Sequence, residues 1–176
     1  MSIKKAEGFA LIDMIFVCGV IGLLSTIALP RLLMAKQAAG AASAIGSMRA
    51  INSAQLTYAL TCGNGFYAPN LSTLGRAPIG SREPYIGGGL GAADTVTKSS
   101  YVITMNAAPF AGAPPSCNGL AAGEAGQGFR AGADPTDPQN PRYFATNSNG
   151  LIYEHTAGLL ATIPEVGEPP AGHLLR

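Results

Sequence analysis

The chain has 176 residues, 47% hydrophobic and only 12% charged, with a formal net charge of +1. That length suits one domain plus an apolar segment. A charge so near zero supplies no basic field, so nucleic acid is not expected as a partner. Aromatics make up 7% and Trp is absent, so any globular core is modest and gains from an added constraint.

The first eight residues, Met-Ser-Ile-Lys-Lys-Ala-Glu-Gly, are short and polar. From Phe9 to Leu29 the chain is apolar apart from Asp13, Ser25 and Thr26. As one helix, that run crosses a bilayer core of about 30 Å. Lys4 and Lys5 favour a cytoplasmic N-terminus, with everything beyond Pro30 on the far side. An ordinary secretory signal fits poorly. Its apolar region is shorter, and the best small-x-small site, Ala42-Ser43-Ala44, lies well past the run. A plain membrane anchor fits the length but leaves Asp13 unexplained. A carboxylate at the bilayer centre costs roughly 2.5–3.5 kcal/mol. Asp13 either has a partner or lies about one turn inside the interface and stays hydrated; its position leaves both open.

The stretch Gly8-Phe9-Ala10-Leu11-Ile12-Asp13, then Met14-Ile15-Phe16-Val17 and Ile27-Ala28-Leu29-Pro30, resembles the N-terminus of type IV prepilins and type II secretion pseudopilins. That family has basic residues, a Gly, a cut, then Phe-Thr-Leu-Ile-Glu and an apolar helix with a Pro near its end. The resemblance implies an α+β, pilin-like fold. A long N-terminal helix, its first half transmembrane, would pack on a small antiparallel sheet with long Gly/Pro-rich loops. Residues 1–8 would be a leader, 9–30 the membrane and filament-core helix, 31–62 its second half, and 63–176 a C-terminal β domain with an irregular tail.

The resemblance also implies roles. A prepilin peptidase would cut between Gly8 and Phe9, and Phe9 would be N-methylated. The partners would be copies of the chain, other pilin-like subunits and an inner-membrane assembly platform. The precursor would sit in the bacterial inner membrane with its C-terminal domain periplasmic, then enter a pilus or pseudopilus. Asp13 would set assembly register by meeting the N-terminal amine of a neighbour. The physics agrees: cleavage creates an ammonium at Phe9 that titrates near ~7.7–8.0. Burying it or Asp13 alone is costly, whereas paired they offset each other and fix the register. The sequence departs from the family pattern at Asp13, where Glu is usual, and at Ala10, where Thr is common. The first departure shortens the reach of the acid by one methylene.

Pro30 has no amide hydrogen to give the Thr26 carbonyl, so a kink is expected there. From Leu32 to Leu60 helix formers dominate, with Ile45, Met48, Ile51 and Leu56 as the larger apolar positions. The small residues from Ala38 to Ala44 permit close helix approach, or simply an Ala-rich linker helix. Cys62-Gly63-Asn64-Gly65 ends the helix. Three cysteines are present. Cys18 lies in the apolar run. Cys62 and Cys117 lie outside it, would meet an oxidising compartment, and are expected to form a disulfide. No C-x-x-C pattern points to zinc.

Gly65-Phe66-Tyr67-Ala68-Pro69-Asn70-Leu71-Ser72-Thr73-Leu74 reads as a turn and a short helical piece packing two leucines. It also resembles a segment of many pilin-like proteins. From Arg76 to Pro141 turn formers dominate, and Ser100–Met105 is the best strand there. Gly87-Gly88-Gly89 lacks the strand–loop–helix frame with Lys-Ser/Thr that a phosphate cradle needs, so a surface loop is expected. Arg142-Tyr143-Phe144-Ala145-Thr146 and Leu151-Ile152-Tyr153-Glu154-His155 flank Asn147-Ser148-Asn149-Gly150, a hairpin signal. The sheet is therefore expected from strands near Tyr101, Tyr143 and Ile152. The segment from Ala157, with Pro164, Pro169 and Pro170, is expected to be irregular.

No enzyme emerges. His155 and His173, the only two histidines, have no nucleophile or acid placed for a triad. Asp134 and Asp137 are too few for a Ca²⁺ loop of 6–8 oxygens. No metal or cofactor is expected. The expected function is thus a structural subunit of a type IV pilus or a secretion pseudopilus. The alternative is a periplasmic binding or enzymatic domain on a plain anchor, without any filament role.

Overall fold

The computed structural model describes residues 7–175, with side chains from Leu11 onward. Lys4, Lys5 and most of the expected leader lie outside the described residues. The elements are α1 (Glu7–Thr61), α2 (Leu71–Leu74), β1 (Thr95–Lys98), β2 (Tyr101–Asn106), β3 (Arg130–Pro135), β4 (Tyr143–Asn147), β5 (Ile152–His155) and β6 (His173–Leu174). The chain divides into two units, Met1–Ala39 and Gly40–Arg176.

From Leu11 to Ala39 every residue but Gln37 is exposed, all round the helix. Leu23 is 70% exposed and Ile12 71%. The backbone stays helical on both sides of Pro30. Near that proline, the Ser25 and Thr26 hydroxyls donate back to the carbonyls of Ile21 and Leu23. This keeps the polar groups satisfied inside an apolar helix.

In the second unit the helix has one buried face. Ala41, Ala44, Met48, Ile51, Gln55, Tyr58 and Cys62 are buried, at alternating steps of three and four. That spacing draws a stripe along one side of an α-helix. The expectation from the larger apolar residues needs correction: Leu56 is 56% exposed and Ile45 only half-buried. Ala41 and Ala44 open the stripe beside the Ser99 turn, and the larger Met48, Ile51, Gln55 and Tyr58 fill the rest of it. At Gly40 a Cβ would come within 2.8 Å of the Ser99 carbonyl oxygen.

The sheet has six antiparallel strands in sequence order. The strands near Tyr101, Tyr143 and Ile152 are β2, β4 and β5. The turn-rich stretch Arg76–Pro141 adds β1 and β3, and the tail expected to be irregular ends in β6. The helix-side face carries Tyr101, Ile103, Met105, Ala131, Ala133, Phe144 and Ile152, all in one core with the helix stripe. Burying each of its larger side chains contributes roughly 1.5–3 kcal/mol. Ala145 and Tyr153 point to the other face, where Leu159 and Ile163 of the tail cover them.

Loops lock onto this frame. Gln55, fully buried, donates to the Ala68 carbonyl and accepts from the Ala68 amide. Asn70 caps α2 by accepting from the Thr73 amide, and Leu71 and Leu74 are buried. The Gly87–Gly89 loop is pinned on either side by buried Ile86 and Leu90. Gly75 and Gly91 meet backbone to backbone, where a Cβ on Gly75 would lie 2.1 Å from the Gly91 oxygen.

Candidate functional site

The N-terminal half of α1 is the first candidate. It is the one helix among the described residues long and apolar enough to cross a membrane, and none of its apolar window is buried. That is compatible with a single-pass anchor near the N-terminus. Gly8 and Phe9 have helical backbone. Asp13 stands four positions after Phe9 in the sequence. Asp13 is exposed and, among the described residues, makes no salt bridge. Cys18 is an exposed free thiol one turn and a fraction further along. An acid without a partner on an apolar helix is a group whose desolvation calls for a cation.

The second unit holds the remaining candidates. Cys62 and Cys117 are disulfide-bonded, with Cα atoms 4.9 Å apart and a sequence separation of 55. The bridge ties the end of α1 to the turn that carries Asn118. The Asn118 amide in turn donates to the carbonyls of Thr73 and Arg76. Closing a loop of that size contributes roughly 4 kcal/mol in the chain-entropy account.

Charged groups cluster at the β4–β5–β6 edge. Arg142 grips Glu154 with two hydrogen bonds, Nε to Oε1 at 2.6 Å and Nη2 to Oε2 at 3.1 Å. The guanidinium holds the Glu154 carboxyl below its ordinary range and is itself held charged by it. His173 Nε2 lies 4.0 Å from Glu154 Oε2. His155 accepts from the Ala157 amide at a turn. His155 thus stands at the turn that opens the tail, and His173 beside the Glu154 carboxylate at its end. Sequence reading saw no role for Arg142 and Glu154. Their pairing depends on the β4–β5 register, which sets Tyr143 opposite His155 and Phe144 opposite Glu154.

Asp134 and Asp137 are separated by the structure. Asp137 accepts from the Gln139 amide in a turn. Asp134 sits on β3 beneath the tail, where its Oδ1 is buried without a hydrogen-bond partner. Burial pushes its carboxyl up from the ordinary value. Among the described residues no group of three or more His, Cys, Asp or Glu comes together as a metal site would need.

Compared with known protein families, curated proteins and solved structures, the chain matches none.

Proposed function

We propose that the chain is a structural subunit of a helical filament of the type IV pilus or secretion pseudopilus kind, held in the inner membrane before assembly. The observation that carries this reading is the stretch of α1 from Leu11 to Leu29: apolar apart from Ser25 and Thr26, exposed, and bearing one carboxylate, Asp13. A plain anchor needs only the apolar surface. A carboxylate four residues after Phe9 is explained when cleavage after Gly8 frees an amine and a neighbouring copy brings that amine to Asp13. The pair then fixes axial register, and the apolar helices pack into a filament core. The disulfide fits a domain exported to an oxidising compartment.

The test is the mature N-terminus of the protein purified from membranes. The reading expects N-methyl-Phe9 as the first residue. An intact Met1 leaves a plain anchored domain instead, and a cut near Ala44 a domain released from its apolar helix. Neighbouring genes separate the two filament kinds: a retraction ATPase accompanies a pilus, and secretion-channel components accompany a pseudopilus.

A further inference from the structure

The two sulfurs of the Cys62–Cys117 bridge stand in unlike surroundings. Cys62 follows the last residue of α1, and its amide donates to the Tyr58 carbonyl at 2.9 Å. It is 4% exposed and belongs to the main core, together with Tyr58 and Ala68. Cys117 lies on a turn and is exposed. The Tyr85 hydroxyl is 3.4 Å from its Sγ. The backbone of Cys117 is held from both sides: its amide donates to the Cys62 carbonyl at 3.3 Å, and its carbonyl accepts from the Ile79 amide at 3.4 Å.

The bridge governs more than its own two residues. Asn118, next in the chain and 6% exposed, donates to the carbonyls of Thr73 and Arg76. Ser116 Oγ donates to Asn118 Oδ1 and accepts from the Leu120 amide. The disulfide is thus a covalent tie between the end of α1 and the loops around α2. Disulfides are exchanged by attack of a thiolate on one of the two sulfurs, and access decides which one. Here burial closes Cys62 and leaves Cys117 open.

We propose that the folded chain exchanges thiols at Cys117, with Cys62 as the leaving and resolving sulfur, and that the partner able to open the bridge is a dithiol. In the first step a thiolate of the dithiol bonds to Cys117 Sγ. The bond between the two cysteines breaks, and its electron pair stays on Cys62, which takes a proton from water. Cys62 leaves poorly, because its thiolate forms at the C-terminal end of a helix and among apolar neighbours, and both disfavour negative charge. It also stays close to Cys117, the two Cα atoms being 4.9 Å apart in the bridged chain. Cys62 therefore attacks Cys117 Sγ in return and expels a monothiol. A dithiol escapes this return. Its second thiolate attacks its own sulfur in the mixed disulfide, closes a disulfide within the reagent and releases Cys117 as a thiolate. The Tyr85 hydroxyl is placed to donate to that thiolate. The dithiol gives up two electrons and two protons, and the two cysteines take them up. None of these steps depends on filament assembly.

The probe is cysteamine, a monothiol, added to the full chain in detergent micelles without denaturant at about pH 8, near the ordinary thiol value. A Cys18→Ala chain removes the third thiol from the count. Acid stops the exchange, and mass spectrometry of the peptides reads which cysteine carries cysteamine. Cysteamine is expected on Cys117, with Cys62 free, at least about tenfold more often than the reverse. In the urea-unfolded chain both cysteines should carry it in comparable amounts, which shows that the readout sees Cys62. Dithiothreitol at equal thiol concentration should open the bridge at least about tenfold more completely than cysteamine. The rate of opening should hold steady at urea concentrations below the unfolding transition. The proposal is overturned by cysteamine on Cys62 as often as on Cys117 in the folded chain, by exchange that occurs only as the chain unfolds, or by equal opening with the two reagents.

Discussion

The two halves of α1 are one helix written for two surroundings. Up to Ala39, apolar residues ring the helix and remain exposed. From Gly40, burial falls on a single stripe through Met48, Ile51 and Tyr58, while Arg49, Ser53 and Thr57 stay outside. A helix with water on one side and a sheet on the other needs one apolar face. A helix apolar all round needs an apolar medium or apolar neighbours on every side. The contrast teaches that the first half takes its stability from what surrounds the molecule, and the second half from within it.

The contrast is broken most sharply at the leader. Gly8→Ala is expected to abolish processing and leave the whole chain in the membrane, read as an unshifted band and no filaments; normal filaments would remove the filament reading. Asp13→Ala is expected to preserve insertion but impair assembly, since losing one member of a buried ion pair costs about 3–5 kcal/mol. Unchanged filament yield in a shearing assay would end the register role.

The second half is probed by unfolding the full chain in detergent with urea. Cys117→Ser should lower stability by roughly 4 kcal/mol, more if the exposed backbone of that turn loosens. Met48→Ala, at a position with 0% exposure, should cost about 2–5 kcal/mol. Leu23→Ala in the same assay should change stability by less than about 0.5 kcal/mol, because that side chain touches no protein core. Equal effects of Met48→Ala and Leu23→Ala would erase the distinction between the halves.

A pH-dependent effect is expected at Asp134. Burial raises its folded-state value above the ordinary 3.8. The folded chain therefore holds this proton more tightly than the unfolded chain does. Stability from it is full below the unfolded value and is lost as pH rises through the folded value. The wild type should weaken relative to Asp134→Asn as pH rises above the unfolded value and through the raised folded one. A constant gap between the two denaturation midpoints across that range would contradict the assignment.

Much of the fold was legible from local signals. The apolar run, the breaker at Cys62–Gly65, the two leucines of α2 and the Asn147–Gly150 turn follow from propensity and periodicity. The turn closed as expected, with Gly150 at positive φ and the Asn147 side chain accepting from the Asn149 amide. The β1–β2 hairpin was not legible. Its two turn residues are Ser99 and Ser100, both at positive φ, where Asn-Gly is the usual signal. Tertiary contacts hold them: Ser43 donates to Ser99 Oγ, and the Ser100 carbonyl accepts from the Thr136 amide. Strand β3, Arg-Ala-Gly-Ala-Asp-Pro, carries no β-branched residue. It is a strand because β2 and β4 flank it and because small side chains fit between the helix on one face and the tail on the other.

By itself the sequence determined the features that depend on neighbours along the chain: where a helix is apolar all round, where it must stop, which turn closes a hairpin, and that Cys62 and Cys117 lie in the segment expected to be exported. Only the tertiary structure decided which residues face each other across space. It set Gln55 on Ala68, Arg142 on Glu154, and Asp134 beneath Gly158 of the tail. The physical reason is range. Propensity and periodicity act over a few residues, whereas strand register and the path of a proline-rich tail are fixed by packing between segments far apart in sequence.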